Sequence, residues 1–282
     1  MSIQITECPR DAMQGVEQWI PTELKTKYLN TLLSVGFDVL DFGSFVSPKA
    51  IPQLRDTAQV LDGLNLGTKT KLLAIIANER GALDACKFEP IHFLGYPFSI
   101  SETFQKRNTN STIEQSLARV DAINAHARKA NKHPLIYISM AFGNPYGDKW
   151  SPEMAAEWIQ RLHREFDITE FALADTVGVS TEENIKQMFE MVLPEFPKLR
   201  IGAHLHATAE DTSGKVQAAY DSGCRNFDSA IKGLGGCPMA EDDLVGNVAT
   251  EILFKTLNSS EIEHIDQNQF ADAMMLSNEV FL

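Results

Sequence analysis

Apolar residues fall into short dense runs, separated by longer stretches in which they recur every three or four positions. Eight runs read as strands: 3–7, 37–42, 71–77, 90–94, 135–140, 170–174, 200–206 and 226–231. Most are dense in aliphatic residues rather than alternating, as expected of parallel strands covered on both faces. Helix signals lie between them. Leu24, Tyr28, Leu32 and Val35 share a helical face after Pro21, and Gly36 supplies a stop. Ser151-Pro152-Glu153 predicts an N-cap with proline in the first turn, Ser180 with Glu183 predicts a capping box, and Gly223 predicts a helix end. Eight strand–helix units in 282 residues predict a (β/α)8 TIM barrel, a single catalytic domain over 1–282, with an open doubly wound sheet as the alternative. The stretch from VATEILFKTL onward predicts additional C-terminal helices that close the barrel or meet a second subunit.

Charge narrows the partners. A formal net charge of −13 argues against nucleic acid or an anionic membrane, both of which attract basic surfaces. An anionic substrate would need a local exception from Arg10, Lys49, Lys106 and Arg107. The four cysteines, Cys8, Cys86, Cys224 and Cys237, form no CxxC pair or regular framework, which suits a reducing compartment. MSIQITECPR carries no basic-then-apolar signal pattern, and no apolar run approaches a membrane span, so the expected location is cytoplasmic.

In a barrel the chemistry belongs at the C-terminal ends of the strands. Arg10 and Asp11 close the first predicted strand, Asp41 the second and Asp175 the sixth, while His204 and His206 lie on the seventh. Within IGAHLHAT the two histidines are two apart, so a strand presents both on one face, where one cation can take both. Downstream, KGLGGCPMAEDDLVGN gathers four glycines around Cys237 and ends at Asn247, a composition suited to a loop that folds tightly over a ligand. Asp11, His204, His206 and Asn247 offer one carboxylate, two imidazoles and one amide oxygen. That set suits octahedral Mg²⁺ or Mn²⁺ better than tetrahedral zinc. Arg10 could neutralise a developing enolate oxygen beside it. Each residue also has a plainer reading: Asp11 as a loop cap, Asp175 as a turn residue, Cys237 as a small buried hydrophobe, and Asp41 as a structural partner of Arg10.

Taken together, PRDAMQG at 9–15, SFVSPKAIPQ at 44–53, FQKRNTNSTIEQS at 104–116, ADTVG at 174–178, AHLHAT at 203–208, and GLGGCP with GNVATE within 233–251 resemble the 3-hydroxy-3-methylglutaryl-CoA lyase family. The resemblance implies a metal-dependent TIM barrel that cleaves 3-hydroxy-3-methylglutaryl-CoA to acetyl-CoA and acetoacetate, as in leucine degradation. It implies a divalent cation on Asp11, His204, His206 and Asn247, an enolate stabilised by Arg10, proton transfer by Cys237, and proton movement at the substrate hydroxyl by Asp175. Asp41 completes the catalytic set, and the acyl-CoA would meet Gln14, Arg107, Asn108, Gly235 and Gly236. A homodimer is the assembly expected from the family. Three departures stand out: Asp41 where the family has Glu, Ala207 where it has Asp after the second histidine, and a glycine-rich loop one residue longer and more acidic. Two other activities compete with the lyase. One is condensation of acetyl-CoA with a 2-oxo acid, and the other is acyl-CoA or metal binding without turnover.

Overall fold

The computed structural model describes residues 2–236, 245–257 and 259–281. The strands are β1 (Gln4–Glu7), β2 (Val39–Ser44), β3 (Lys71–Ile75), β4 (Ile91–Ser99), β5 (His133–Ser139), β6 (Glu170–Ala174), β7 (Arg200–His204) and β8 (Asn226–Ser229). All pair in parallel and in chain order, and β1 joins β8 with Thr6 opposite Asp228, so the sheet closes into a barrel and the open-sheet alternative falls away. Both strand faces are buried, which is why the runs do not alternate. Leu72, Ala74, Ile136 and Ile138 face the surrounding helices, while Leu73, Leu135, Tyr137, Val39, Phe93 and Ala172 form a separate inner cluster.

Local chemistry sets the boundaries. β1 stops early because Pro9 opens a short helix, Pro9–Gln14, which places Arg10 and Asp11 on a helical turn above the barrel rather than at a strand end. β2 runs on past Asp41, with a register shift between Asp41 and Gly43 against β3. The cap predicted at Ser180 falls one residue later, where Thr181 and Asn184 form the capping box. Ser180 lies before the helix, with its backbone N–H donating to Asp175 Oδ2 at 3.0 Å. Ser151 caps the helix Pro152–Phe166 as expected, and Gly36 ends the helix Thr22–Val35 at φ +93°. Gly223, at φ +96°, follows the helix Thr212–Asp221 and its C-cap Ser222.

The C-terminal helix Gln267–Phe281 packs on Thr22–Val35 and the helix Thr250–Thr256 on Thr212–Asp221, with the Phe254 ring stacked 6.2 Å from Phe37 and tilted 4.8 Å from Phe270. Among the described residues no helix is long and apolar enough to cross a membrane.

One buried carboxyl fastens the loop that carries the glycines. Glu7, wholly inaccessible, accepts from Ile231 N–H at 2.8 Å and from Thr250 Oγ1 at 2.6 Å, and so pins both ends of segment 231–250 to β1. Burial pushes its pKa up from 4.5 to about 8, against the opposing pull of those two hydrogen bonds. The folded state therefore holds a proton that the unfolded chain releases between these values, and the stability Glu7 contributes falls as pH rises through that window. A Glu7→Gln variant keeps an acceptor for Ile231 and cannot ionise. Thermal melts should show it within a degree or two of the parent near pH 5 and several degrees more stable near pH 8, on the order of 1 kcal/mol or more. A difference between the two that is constant with pH contradicts this role.

Candidate active site

The helical turn after β1 carries Arg10 over the barrel mouth, where it joins two carboxylates. Its Nε and Nη2 donate to Asp41 Oδ2 at 2.9 and 2.6 Å, and Nη1 donates to Asp11 Oδ1 and Gln14 Oε1, both at 2.9 Å. Gln14 Nε2 donates to the same Asp11 oxygen at 2.9 Å. All of these charges are buried, Asp41 completely. The other oxygen of Asp11 accepts from Asn247 Nδ2 at 2.7 Å and from Gly236 N–H at 3.3 Å. Gly235 is required here: at φ +95°, a Cβ on it would stand 2.6 Å from Asn247 Nδ2 and 3.0 Å from the Asp11 backbone.

β7 ends at His204, and His206 lies just beyond it in a bridge to Asn247, with Ala207 N–H donating to Gly246 O at 2.9 Å. The two imidazoles meet edge to face at 5.4 Å between centroids. His204 Nδ1 lies 3.1 Å from Asp228 Oδ2 on β8, so that nitrogen carries the proton and Nε2 keeps a lone pair. The His206 ring lies near the backbone of Thr176, and its buried Nε2 has no partner among the described residues.

The electrostatics separates these groups. Burial works against ionised Asp11, but the charges of Arg10, His204 and His206 and the Asn247 hydrogen bond outweigh it and lower its pKa. Burial raises Asp41 to about 6, only partly offset by Arg10. For His204 burial is outweighed by the hydrogen bond and charge of Asp228, with Asp11 assisting, and its pKa rises. Burial, with His204 alongside, drops His206 to about 4, which leaves it neutral with an open lone pair.

The donor types suit a divalent cation: Asp11 is ionised, His206 Nε2 is unpartnered, and the hydrogen bonds of Asn247 use its amide nitrogen and leave the oxygen. The ligand atoms of Asp11, His204 and His206 do not all lie within 4.8 Å of one another, so these side chains would draw together on a cation. The orphaned Nε2 of His206 is otherwise an uncompensated buried polar atom.

The structure thus brings together Arg10, Asp11, Gln14, Asp41, His204, His206, Gly235, Gly236 and Asn247. Asp175 is turned elsewhere. Its oxygens accept from Val179 and Ser180 N–H at 2.9 and 3.0 Å, with Lys215 Nζ 3.7 Å away. Arg107 and Asn108 are exposed on the helix Glu102–Thr109 after β4, with the Arg107 guanidinium 4.8 Å over the Tyr146 ring. Cys237 lies outside the described residues. Three site residues escaped sequence reasoning: Asp228, Cys8 and Lys215. Asp228 left a signal, a lone carboxylate within the apolar run NFDSAI. Cys8 Sγ and the facing atoms of His204 and Asp228 lie within 4.8 Å of one another, the one such group of possible ligands among the described histidines, cysteines and carboxylates.

Comparison with known proteins agrees with this fold. The HMGL-like family model matches residues 3–277. A cytoplasmic 3-hydroxy-3-methylglutaryl-CoA lyase of Rattus norvegicus is 34% identical over 89% of this chain and 72% of its own length. A 3-hydroxy-3-isohexenylglutaryl-CoA/hydroxy-methylglutaryl-CoA lyase of Pseudomonas aeruginosa is 33% identical over 94% of this chain and 88% of its own. The structure of an HMG-CoA lyase from Acinetobacter baumannii, in complex with coenzyme A and 3-methylmalate, superposes with a TM-score of 0.90 at 30% identity, over 99% of this chain and 91% of that one. A barrel with this buried charge cluster at its mouth, matched by a family model over nearly its whole length, belongs to the HMGL-like family.

Proposed function

We propose that this chain is a carbon–carbon lyase that cleaves 3-hydroxy-3-methylglutaryl-CoA to acetyl-CoA and acetoacetate, with Mg²⁺ or Mn²⁺ held by Asp11, His204, His206 and Asn247. The observation that carries the metal reading is the buried, neutral His206 with its unpartnered Nε2 beside ionised Asp11. When bound, the cation supplies Lewis acidity to the substrate hydroxyl and carbonyl oxygens.

The reaction breaks the C2–C3 bond, releases the hydroxyl proton and returns a proton to C2. Asp41 is the better of the two buried carboxyls to take the hydroxyl proton. Its Oδ1 is buried without a partner, whereas both oxygens of Asp175 accept backbone N–H groups. A pKa of about 6 also suits a base working near neutrality. Asp175 then shapes the turn behind the site. Four of the five N–H donors of Arg10 are engaged by Asp41, Asp11 and Gln14, leaving one on Nη2 for the enolate oxygen. Cys237, by the resemblance, protonates C2. Arg107 and Asn108, exposed on their helix, receive the acyl-CoA. Gln14 holds Arg10 and Asp11 toward it. A homodimer, as expected of the family, completes this reading, and the free thiols of Cys8, Cys86 and Cys224 support a reducing compartment such as the cytoplasm.

The purified chain should release acetoacetate from 3-hydroxy-3-methylglutaryl-CoA with Mg²⁺ or Mn²⁺ and stop with chelator. Product formation indifferent to chelator contradicts the metal site. Acetyl-CoA consumed with a 2-oxo acid, and no acetoacetate released, indicates the condensing reaction instead.

A base must be ionised, so kcat/KM should be flat above about pH 6 and fall about tenfold per unit below it. Asp41→Asn should lower kcat about 10²- to 10⁴-fold and abolish that acidic limb, with Asp41→Glu recovering much of the rate. An Asp41→Asn enzyme with an unchanged acidic limb assigns the proton to another group.

A further inference from the structure

Behind the two histidines sits a lysine that the reaction above does not use. Lys215, on the helix Thr212–Asp221, is 3% exposed. Its Nζ donates to the backbone carbonyl of His206 at 2.8 Å, and faces Asp211 Oδ2 at 3.2 Å and Asp175 Oδ2 at 3.7 Å. One ammonium therefore gathers the turn after β6, the segment after β7 and the first turn of the next helix. Burying such a group is costly unless it is fully hydrogen-bonded, so its placement fixes the peptide it binds.

That peptide links His206 to Ala207. Ala207 has no polar side chain, so it contributes only its backbone N–H, given to Gly246. The imidazole of His206 lies near the Thr176 backbone, on the segment that Asp175 organises. Lys215 thus restrains both sides of the ring, through the His206 carbonyl directly and through Asp175 on the Thr176 side. From this geometry we infer that Lys215 is a positioning residue that sets cation affinity by holding His206 Nε2 on the site, replacing the support that a polar side chain at position 207 would give. The inference rests on the metal reading proposed above. Outer partners of metal ligands commonly contribute about ten- to a hundredfold in affinity, because they remove the freedom of the ligand to swing away.

The sign of the effect separates positioning from charge. Removing a positive charge from beside a cation site tightens cation binding by Coulomb's law, whereas freeing His206 weakens it. Mn²⁺ affinity of the full chain, measured by calorimetry and by the Mn²⁺ electron paramagnetic resonance signal without substrate, should weaken about tenfold in Lys215→Met. At saturating Mn²⁺ the KM for acyl-CoA should stay within about threefold of the parent. Lys215→Arg, which keeps charge and donor, should restore most of the affinity. If Lys215→Met does not fold, Lys215→Gln gives the same reading, since its amide stops one bond short of the carbonyl. Affinity that is unchanged or tighter in the folded variant overturns the inference, even if its melting temperature falls. A parent chain that binds no Mn²⁺ overturns the metal reading and this inference with it.

Discussion

The guanidinium of Arg10 is the charge around which the barrel mouth is built. Asp41, within β2, and Asp11, on the turn after β1, are both sealed from solvent, and neither is tolerable there without a cation. Removing one partner of such a buried pair typically costs about 3–5 kcal/mol, because the other is left uncompensated. The arrangement is asymmetric in a useful way. Both bonds from Arg10 to Asp41 end on one oxygen, so the other is buried, unpartnered and easily protonated. Asp11 shares its two oxygens among Arg10, Gln14, Asn247 and Gly236, and stays ionised. Two aspartates on one arginine thus acquire different acidities from their hydrogen bonds and surroundings.

The histidines divide in the same manner. His204 leans on Asp228 and gains basicity, while His206 loses it to burial and to its neighbour. His204 has Nδ1 held by Asp228 and His206 has Nε2 buried without a partner, and outer partners of this kind are what orient metal ligands. Glu7 and Lys215 extend this support outward. Glu7 ties both ends of segment 231–250 to β1, and Lys215 ties the end of β7 to the turn after β6. The mouth is held at its rim, where the reacting groups are, rather than only by the apolar core below.

Much of this was legible in the sequence, and for local reasons. Strands buried on two faces write themselves as aliphatic runs, and caps such as Ser151 with Pro152 depend on adjacent residues. Errors arose where a residue had a stronger remote claim on it. Ser180 looks like a cap, but it lies before the helix and its amide donates to Asp175. Asp175 sits at the strand end where barrel chemistry is expected, and each of its oxygens also accepts a backbone N–H from the turn that follows. Asp228 and Cys8 meet His204 only because the barrel closes with Thr6 beside Asp228, a pairing of residues more than two hundred positions apart. Lys215 looks like any surface lysine on a helix until the turns after β6 and β7 cover it. The donors of the metal site were suggested by residue type and resemblance; that His206 alone is left with an orphaned nitrogen among the described histidines required the fold.

His204 belongs to the proposed Asp11–His206–Asn247 set and also to the Cys8–Asp228 cluster, so the position of the cation is the sharpest question for this account. Anomalous diffraction at the manganese edge, from crystals grown with Mn²⁺, answers it directly. The account predicts one strong peak within about 2.0–2.4 Å of Asp11, of Nε2 of both His204 and His206, and of the Asn247 amide oxygen. A peak at Cys8 and Asp228, with His206 Nε2 still unpartnered, would contradict it.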